Sequence, residues 1–181
     1  MIKLMADSTC DLSDEILKKY EISMAPLRIV IEGQEYRDRI DIMPDEFYAK
    51  LEHYKTNPTT NMPSPADYLD IMREAVEKGY QEILCICMPS GTSGAYPSAE
   101  LAKQSFYEEF PESKVRIHIV DSLCMSHGSG YLLLKSAMLR EKGMSFDELI
   151  AFNETFKLHV KHYLSVDDLD HLIRSGRLTN A

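Results

Sequence analysis

Side chains able to do chemistry here are mostly hydroxyls, set among glycines. Three stretches carry them: Asp7, Ser8 and Thr9; Ser90, Gly91, Thr92, Ser93 and Gly94; and Asp121 with Ser122, running on to His127. A fourth, 58–64, adds Thr59, Thr60 and Ser64. The stretch around Ser93 follows an apolar run and opens a helical pattern. Its backbone N–H groups are therefore expected to face outward with the positive end of a helix dipole. Gly91 and Gly94 would let a ligand approach the backbone closely. Such a set suits a small anion. A Walker phosphate loop does not occur, nor does a G-x-G-x-x-G fingerprint after the first strand. A carboxylate held by neutral hydroxyls and amides stays open, and no cofactor is expected. Any one of these loops reads most simply as a cap or a turn, but several on one sheet edge point to a ligand.

Two other chemistries compete for the same residues. Ser93 follows a strand, as a hydrolase nucleophile does, with His127 as a candidate base. The G-x-S-x-G elbow is absent, however, since the run is Gly91-Thr-Ser-Gly-Ala95. His159, His162 and His171 could in principle hold a metal, but no adequate acidic ligand stands near them, and no metal site is expected. The four cysteines give no metal or disulfide spacing. Cys85 and Cys87, two apart on a strand, should share one face as buried thiols, while Cys10 and Cys124 fall in loops.

The elements that must carry these loops alternate. Strands are expected at 2–6, 82–88 and 115–120, and a hairpin at 26–37 turning at Glu32-Gly33. Helices are expected from the Ser13 cap to about Tyr20, from Pro44 to about Tyr54, and from the Ser64 cap with Pro65 at the first position up to Gly79. Within the last, Tyr68, Leu69, Met72, Ala75 and Val76 form a core-facing stripe. Further helices are expected at about 97–110 and from the 121–127 loop to Lys142, with Gly143 as the stop. Ser145 and Glu148 form a capping box that starts another. The segment 55–63 reads as a polar loop. Strands separated by helices imply an α/β fold, a mostly parallel sheet with helices on both faces. Ligands bind such sheets beyond the carboxyl ends of the strands, where 7–11, 88–95 and 121–127 all fall.

The chain has 181 residues, 44% of them hydrophobic and 27% charged, with a formal net charge of −9 and an estimated pI of 5.1. That acidity argues against nucleic acid as a partner, because phosphate backbones are met by basic stripes. The opening seven residues are too short and too soon interrupted by Lys3 for a signal peptide, and no run is long enough to cross a bilayer. A cytoplasmic location without a stable membrane anchor is expected.

Six motifs, in order, resemble the DegV family of FakB-like fatty-acid-binding proteins. Asp7-Ser-Thr-Cys-Asp-Leu12 is similar to its opening D-S-T-x-D-L, and Tyr36-Arg-Asp38 to its Y-x-D turn. Thr60-Asn-Met-Pro-Ser-Pro65 resembles T-S-Q-P-S-P, and the run from Ser90 to Ala99 resembles S-x-L-S-G-T-Y-Q-S-A. Val120-Asp-Ser122 and the segment 164–178, which resembles a strand, a helix and G-G-R-I, complete the set. The resemblance covers essentially the whole chain. It implies a carrier rather than an enzyme, one that binds a long-chain fatty acid and presents it to the catalytic subunit of a separate, ATP-dependent fatty-acid kinase. The acyl tail would lie in an apolar tunnel between two domains. Thr60 and Ser93 would hold the carboxylate, with the Gly94 amide a further donor and Ser90, Asp7, Ser8, Thr9 and Ser122 around them. Asp38, Arg174 and Arg177 would face the kinase.

Departures from the family pattern are Asn61, Met62, Thr92, Ala95, Pro97 and Ser175, where Ser, Gln, Leu, Thr, Gln and Gly are usual. They leave both anchor hydroxyls in place. The resemblance also implies a DegV-like first domain over 1–158, with 55–79 packing toward the cleft, and the beginning of a second α/β domain over 159–181. Family chains run on past Gly176-Arg-Leu178, so part of the tunnel wall is expected to be absent or borrowed from another chain, as in a homo-oligomer.

Overall fold

The computed structural model describes residues 1–163, 165, 166 and 169–178, with His171 and Arg174 described by backbone alone. Along the chain come β1 (Ile2–Asp7), α1 (Asp14–Lys19), β2 (Ser23–Ala25), β3 (Arg28–Ile31), β4 (Gln34–Arg37), α2 (Pro44–Lys50) and β5 (Thr59–Asn61). There follow α3 (Pro65–Glu77), β6 (Glu82–Cys87), α4 (Ala95–Glu109), β7 (Arg116–Asp121), α5 (His127–Glu141), α6 (Phe146–Phe156) and α7 (Asp170–Arg174).

Four strands form one parallel sheet in the order β2-β1-β6-β7. Its central strands β1 and β6 are almost wholly buried, and the sheet's apolar residues divide by period two between the faces. Leu4, Ala6, Leu84, Ile86 and Val120 meet Leu17 of α1, Leu132, Leu133 and Ala137 of α5, and Leu149 of α6. Met5, Ile83, Cys85, Cys87, Ile117 and Ile119 meet Tyr68, Met72 and Ala75 of α3 and Ala99, Ala102 and Phe106 of α4. Helices therefore cover both faces, as the alternation of strands and helices requires.

Helix starts follow their caps. Ser13 accepts from the Ile16 amide, and reciprocal capping boxes join Ser64 to Asp67 and Ser145 to Glu148. Gly143, at φ 87°, terminates α5. Helix α4 begins at Ala95, two residues before the expected start at Pro97.

A second, antiparallel sheet, ordered β4-β3-β5, stands beside the first. Its hairpin turns at Glu32 (φ 50°) and Gly33 (φ 85°), the two left-handed positions of a type I′ turn. Two strands depart from expectation. Thr59–Asn61 was expected to be loop and is instead β5, pairing Thr60 with Ile29. Ser23–Ala25, given no element from sequence, is an edge strand parallel to β1. Both are three-residue strands, too short to show a periodicity. One Arg28 nitrogen, Nη2, meets both Asp67 carboxylate oxygens, at 2.6 and 2.8 Å, and ties the small sheet to the start of α3. Among the described residues, no helix is long and apolar enough to cross a membrane.

Candidate ligand site at the carboxyl edge of the sheet

Strands β1, β6 and β7 end side by side at Asp7, Cys87 and Asp121, so the three hydroxyl-rich loops share one edge. Internal bonds lace that edge together. The buried Asp7 carboxylate accepts from the Met88 amide at 2.8 Å, from the Thr9 amide at 3.1 Å and from the Thr9 hydroxyl. Burial pushes its pKa up, against those hydrogen bonds. The Ser8 hydroxyl donates to Asp38 at 2.6 Å and accepts from the Leu27 amide, joining the parallel sheet to the small one. Ser90 donates its hydroxyl and its amide to Asp121, at 2.5 and 3.1 Å. Ser122 is fully buried and donates to the Cys124 carbonyl at 2.9 Å. Ser126 reaches back to Asp11. Gly130 packs so tightly that a Cβ there would come within 2.1 Å of the Cys10 carbonyl oxygen, which locks α5 against the end of β1. The hydroxyls of Ser8, Ser90 and Ser122 are thus engaged within the protein.

The 89–94 loop also differs from expectation in its amides. Those of Thr92 and Ser93 turn inward to the Pro89 carbonyl, at 3.0 and 3.1 Å, and the Ala95 amide donates to the Ser93 hydroxyl at 3.2 Å. Among the described residues, the amides of Gly91 and Gly94 have no hydrogen-bond partner, which leaves them as the loop's unspent donors. A side chain at Gly91 would meet nothing within 4 Å, whereas one at Gly94 would collide with the Met62 sulfur at 2.5 Å. Met62 follows β5 directly, so the strand that carries Thr60 lies against the loop that carries Ser93.

Thr60 lies on the wall of a cleft of about 1120 Å³ between the small sheet and α2. Leu27, Ile29, Met43, Phe47, Tyr48 and Leu51 supply most of its apolar lining, and Asp11, Asp38 and Arg39 line it as well, whereas Ser93 and Gly94 do not. Asp38, expected to face a partner, is a half-buried part of this wall. Burial raises its pKa. Arg177, also expected to face a partner, donates to the Thr60 hydroxyl at 3.3 Å. The side chain of Arg174 lies outside the described residues, as does that of His171.

Two further residues stand out that carry no signal in the sequence: Met62, against Gly94, and Arg39, in the lining of the cleft. Met62 is, by sequence, only a departure from the family pattern, and Arg39, half-buried, donates to the Leu12 carbonyl at 2.8 Å and pairs with Asp14. His127 contacts its neighbour Ser126 at 3.3 Å, and no histidine among the described residues lies within hydrogen-bond reach of Ser93. Among the described residues, no group of three His, Cys, Asp or Glu side chains could hold a metal. All four cysteines are buried, and burial pushes the Cys10 thiol up to about 11.

A family model described as DegV family matches residues 1–181. This chain belongs to the DegV family. A DegV domain-containing protein of Clostridium acetobutylicum is 37% identical over 180 residues, covering 98% of this chain and 61% of its own. A solved DegV family protein from Thermus thermophilus, described by its fatty acid binding, superposes with a TM-score of 0.83 at 34% identity, covering 97% of this chain and 60% of its own. A stearic acid-binding protein from Eubacterium ventriosum gives a TM-score of 0.79 at 33% identity, covering 85% and 52%. The chain therefore spans about three fifths of the length of the curated DegV relatives it matches.

Proposed function

We propose that this DegV chain binds a long-chain fatty acid as a carrier, with its carboxylate at Thr60, Ser93 and the Gly94 amide and its acyl tail along the apolar cleft. The carrier hands the acid to a separate fatty-acid kinase rather than transforming it. The observation that carries this reading is the cleft itself, lined by Leu27, Ile29, Met43, Phe47, Tyr48 and Leu51 together with Thr60. Fatty-acid binding by solved relatives of the same fold supports the choice of ligand. Each buried methylene contributes about 0.8 kcal/mol, so a long tail supplies roughly 10 kcal/mol gross. Hydrogen bonds to the carboxylate add about 1.5–3 kcal/mol each at best, and immobilisation and desolvation remove a large share of the total. The tail thus sets affinity and the head group sets orientation. Asp7, Ser8, Thr9, Ser90 and Ser122 hold the edge in shape behind the anchors.

Organic extraction of the purified chain, followed by mass spectrometry, is expected to release a long-chain fatty acid. Ser93→Ala is expected to weaken binding about tenfold, as loss of one hydrogen bond to a charged group should, while abolishing acyl-phosphate formation with the kinase. An unchanged acyl-phosphate yield would count against the proposed presentation.

A further inference from the structure

We propose that Met62 is a positioning residue for this head-group site, its thioether fixing the separation of Thr60 from Ser93 and Gly94 so that the site prefers a carboxylate to an uncharged ester. This rests on the fatty-acid reading above and deepens it. Met62 lies two residues beyond Thr60, so their Cα atoms are at most about 7 Å apart in extended chain. At the other end of its side chain, Sδ, Cε and Cγ lie 2.5, 3.2 and 3.6 Å from where a Gly94 Cβ would stand. The thioether therefore rests on the Gly94 backbone, and only glycine leaves it that seat.

Both ends of this bridge are anchored. Thr60 and Asn61 pair with β3, and the Pro63 carbonyl accepts from Ser98 of α4 at 2.7 Å. Met62 is itself 49% exposed, so core burial alone does not account for its position. A thioether is a weak acceptor and does not compete for the Gly94 amide. The seat it takes instead holds the Gly94 backbone in place beside Thr60, and a fixed amide donor bonds a carboxylate roughly twice as strongly as a neutral acceptor. The charged acid therefore gains more from this arrangement than its ester, whose carbonyl accepts only a neutral hydrogen bond.

The test is a titration of the full chain with a long-chain fatty acid and with its methyl ester, for the unsubstituted protein, Met62→Ala, Met62→Leu and Gly94→Ala. Met62→Ala is expected to weaken the acid about tenfold, the effect of losing roughly one hydrogen bond to a charged group, with the ester changed less than about twofold. Met62→Leu, similar in volume, should retain the preference. Gly94→Ala, which displaces the thioether, should lose it as Met62→Ala does. An unchanged acid-to-ester ratio in Met62→Ala, or an equal loss for both ligands, overturns the role of Met62 while leaving the carrier reading standing. An unsubstituted chain that binds neither ligand overturns both.

Discussion

Arg37 and Asp41 are four residues apart at the turn that leaves the small sheet, and their geometry makes a sharp test. The guanidinium meets both carboxylate oxygens at 2.9 Å, and the Arg37 amide adds a third bond at 2.8 Å. Hydrogen bonding to the Arg37 side chain and then to its amide lowers the Asp41 pKa to about 2. A carboxylate depressed in the folded state contributes stability above its unfolded value of roughly 3.9, and that contribution is lost as pH falls through the folded value. Side-chain carboxyl NMR is therefore expected to place the Asp41 midpoint near 2 in the folded protein. In Arg37→Gln it should return toward about 3.9. At this scale the sequence was legible wherever a residue acts on near neighbours: Ser13, Ser64 and Ser145 cap the helices they precede. It was much less so for Ser8, whose partner Asp38 is 30 residues away, and for Asp7, whose partner Met88 is 81 away. A hydroxyl in a strand-end loop serves a ligand or a distant turn equally well, and only the fold says which.

Among the elements, the start of α3 concentrates two functions in one carboxylate. Asp67 completes the capping box with Ser64 and also receives the Arg28 Nη2 contact that holds the small sheet. Ser64→Ala removes the cap and should cost about 1 kcal/mol. Asp67→Ala keeps the Ser64 hydroxyl on the residue-67 amide but removes the return half of the box and leaves the largely buried Arg28 with only the longer contact to Glu35, at 3.6 Å, which should cost about 2–4 kcal/mol. Urea unfolding of the two variants checks the order, and equal losses would show that the Arg28–Asp67 ion pair contributes nothing. Elements with a periodic stripe or a turn signature, such as α3 and the β3–β4 hairpin, were readable in advance. Strand β5 was not, because its three residues are polar and exposed and its pairing is decided by β3. That omission hid the link between Thr60 and the cleft, since a loop at 58–61 would not have set the residue beside Ile29.

For the molecule as a whole, two apolar cores share one sheet whose strands send alternate side chains to each. Leu132→Ala on the α5 side and Met72→Ala on the α3 side should each cost about 2–5 kcal/mol, as buried large-to-small changes do. Because both cores rest on the same four strands, circular dichroism and tyrosine fluorescence are expected to report one coincident transition in either variant. Separate transitions would mean that the two layers unfold independently. The doubly covered parallel sheet was legible from the alternation of apolar runs with capped helices. The second sheet beside it was visible only as a hairpin, and the cleft it forms with α2 could not be read from any local pattern.

Gly91 sits in the loop that bears Ser93 with nothing around it, while every native thiol is shut away inside. Its backbone is not left-handed, so a larger residue there strains nothing. A maleimide fluorophore added to a Gly91→Cys protein thus has a single place to attach, a few residues from where a lipid head would dock. The bare glycine gives the protein a ready port for an optical reporter of its own occupancy.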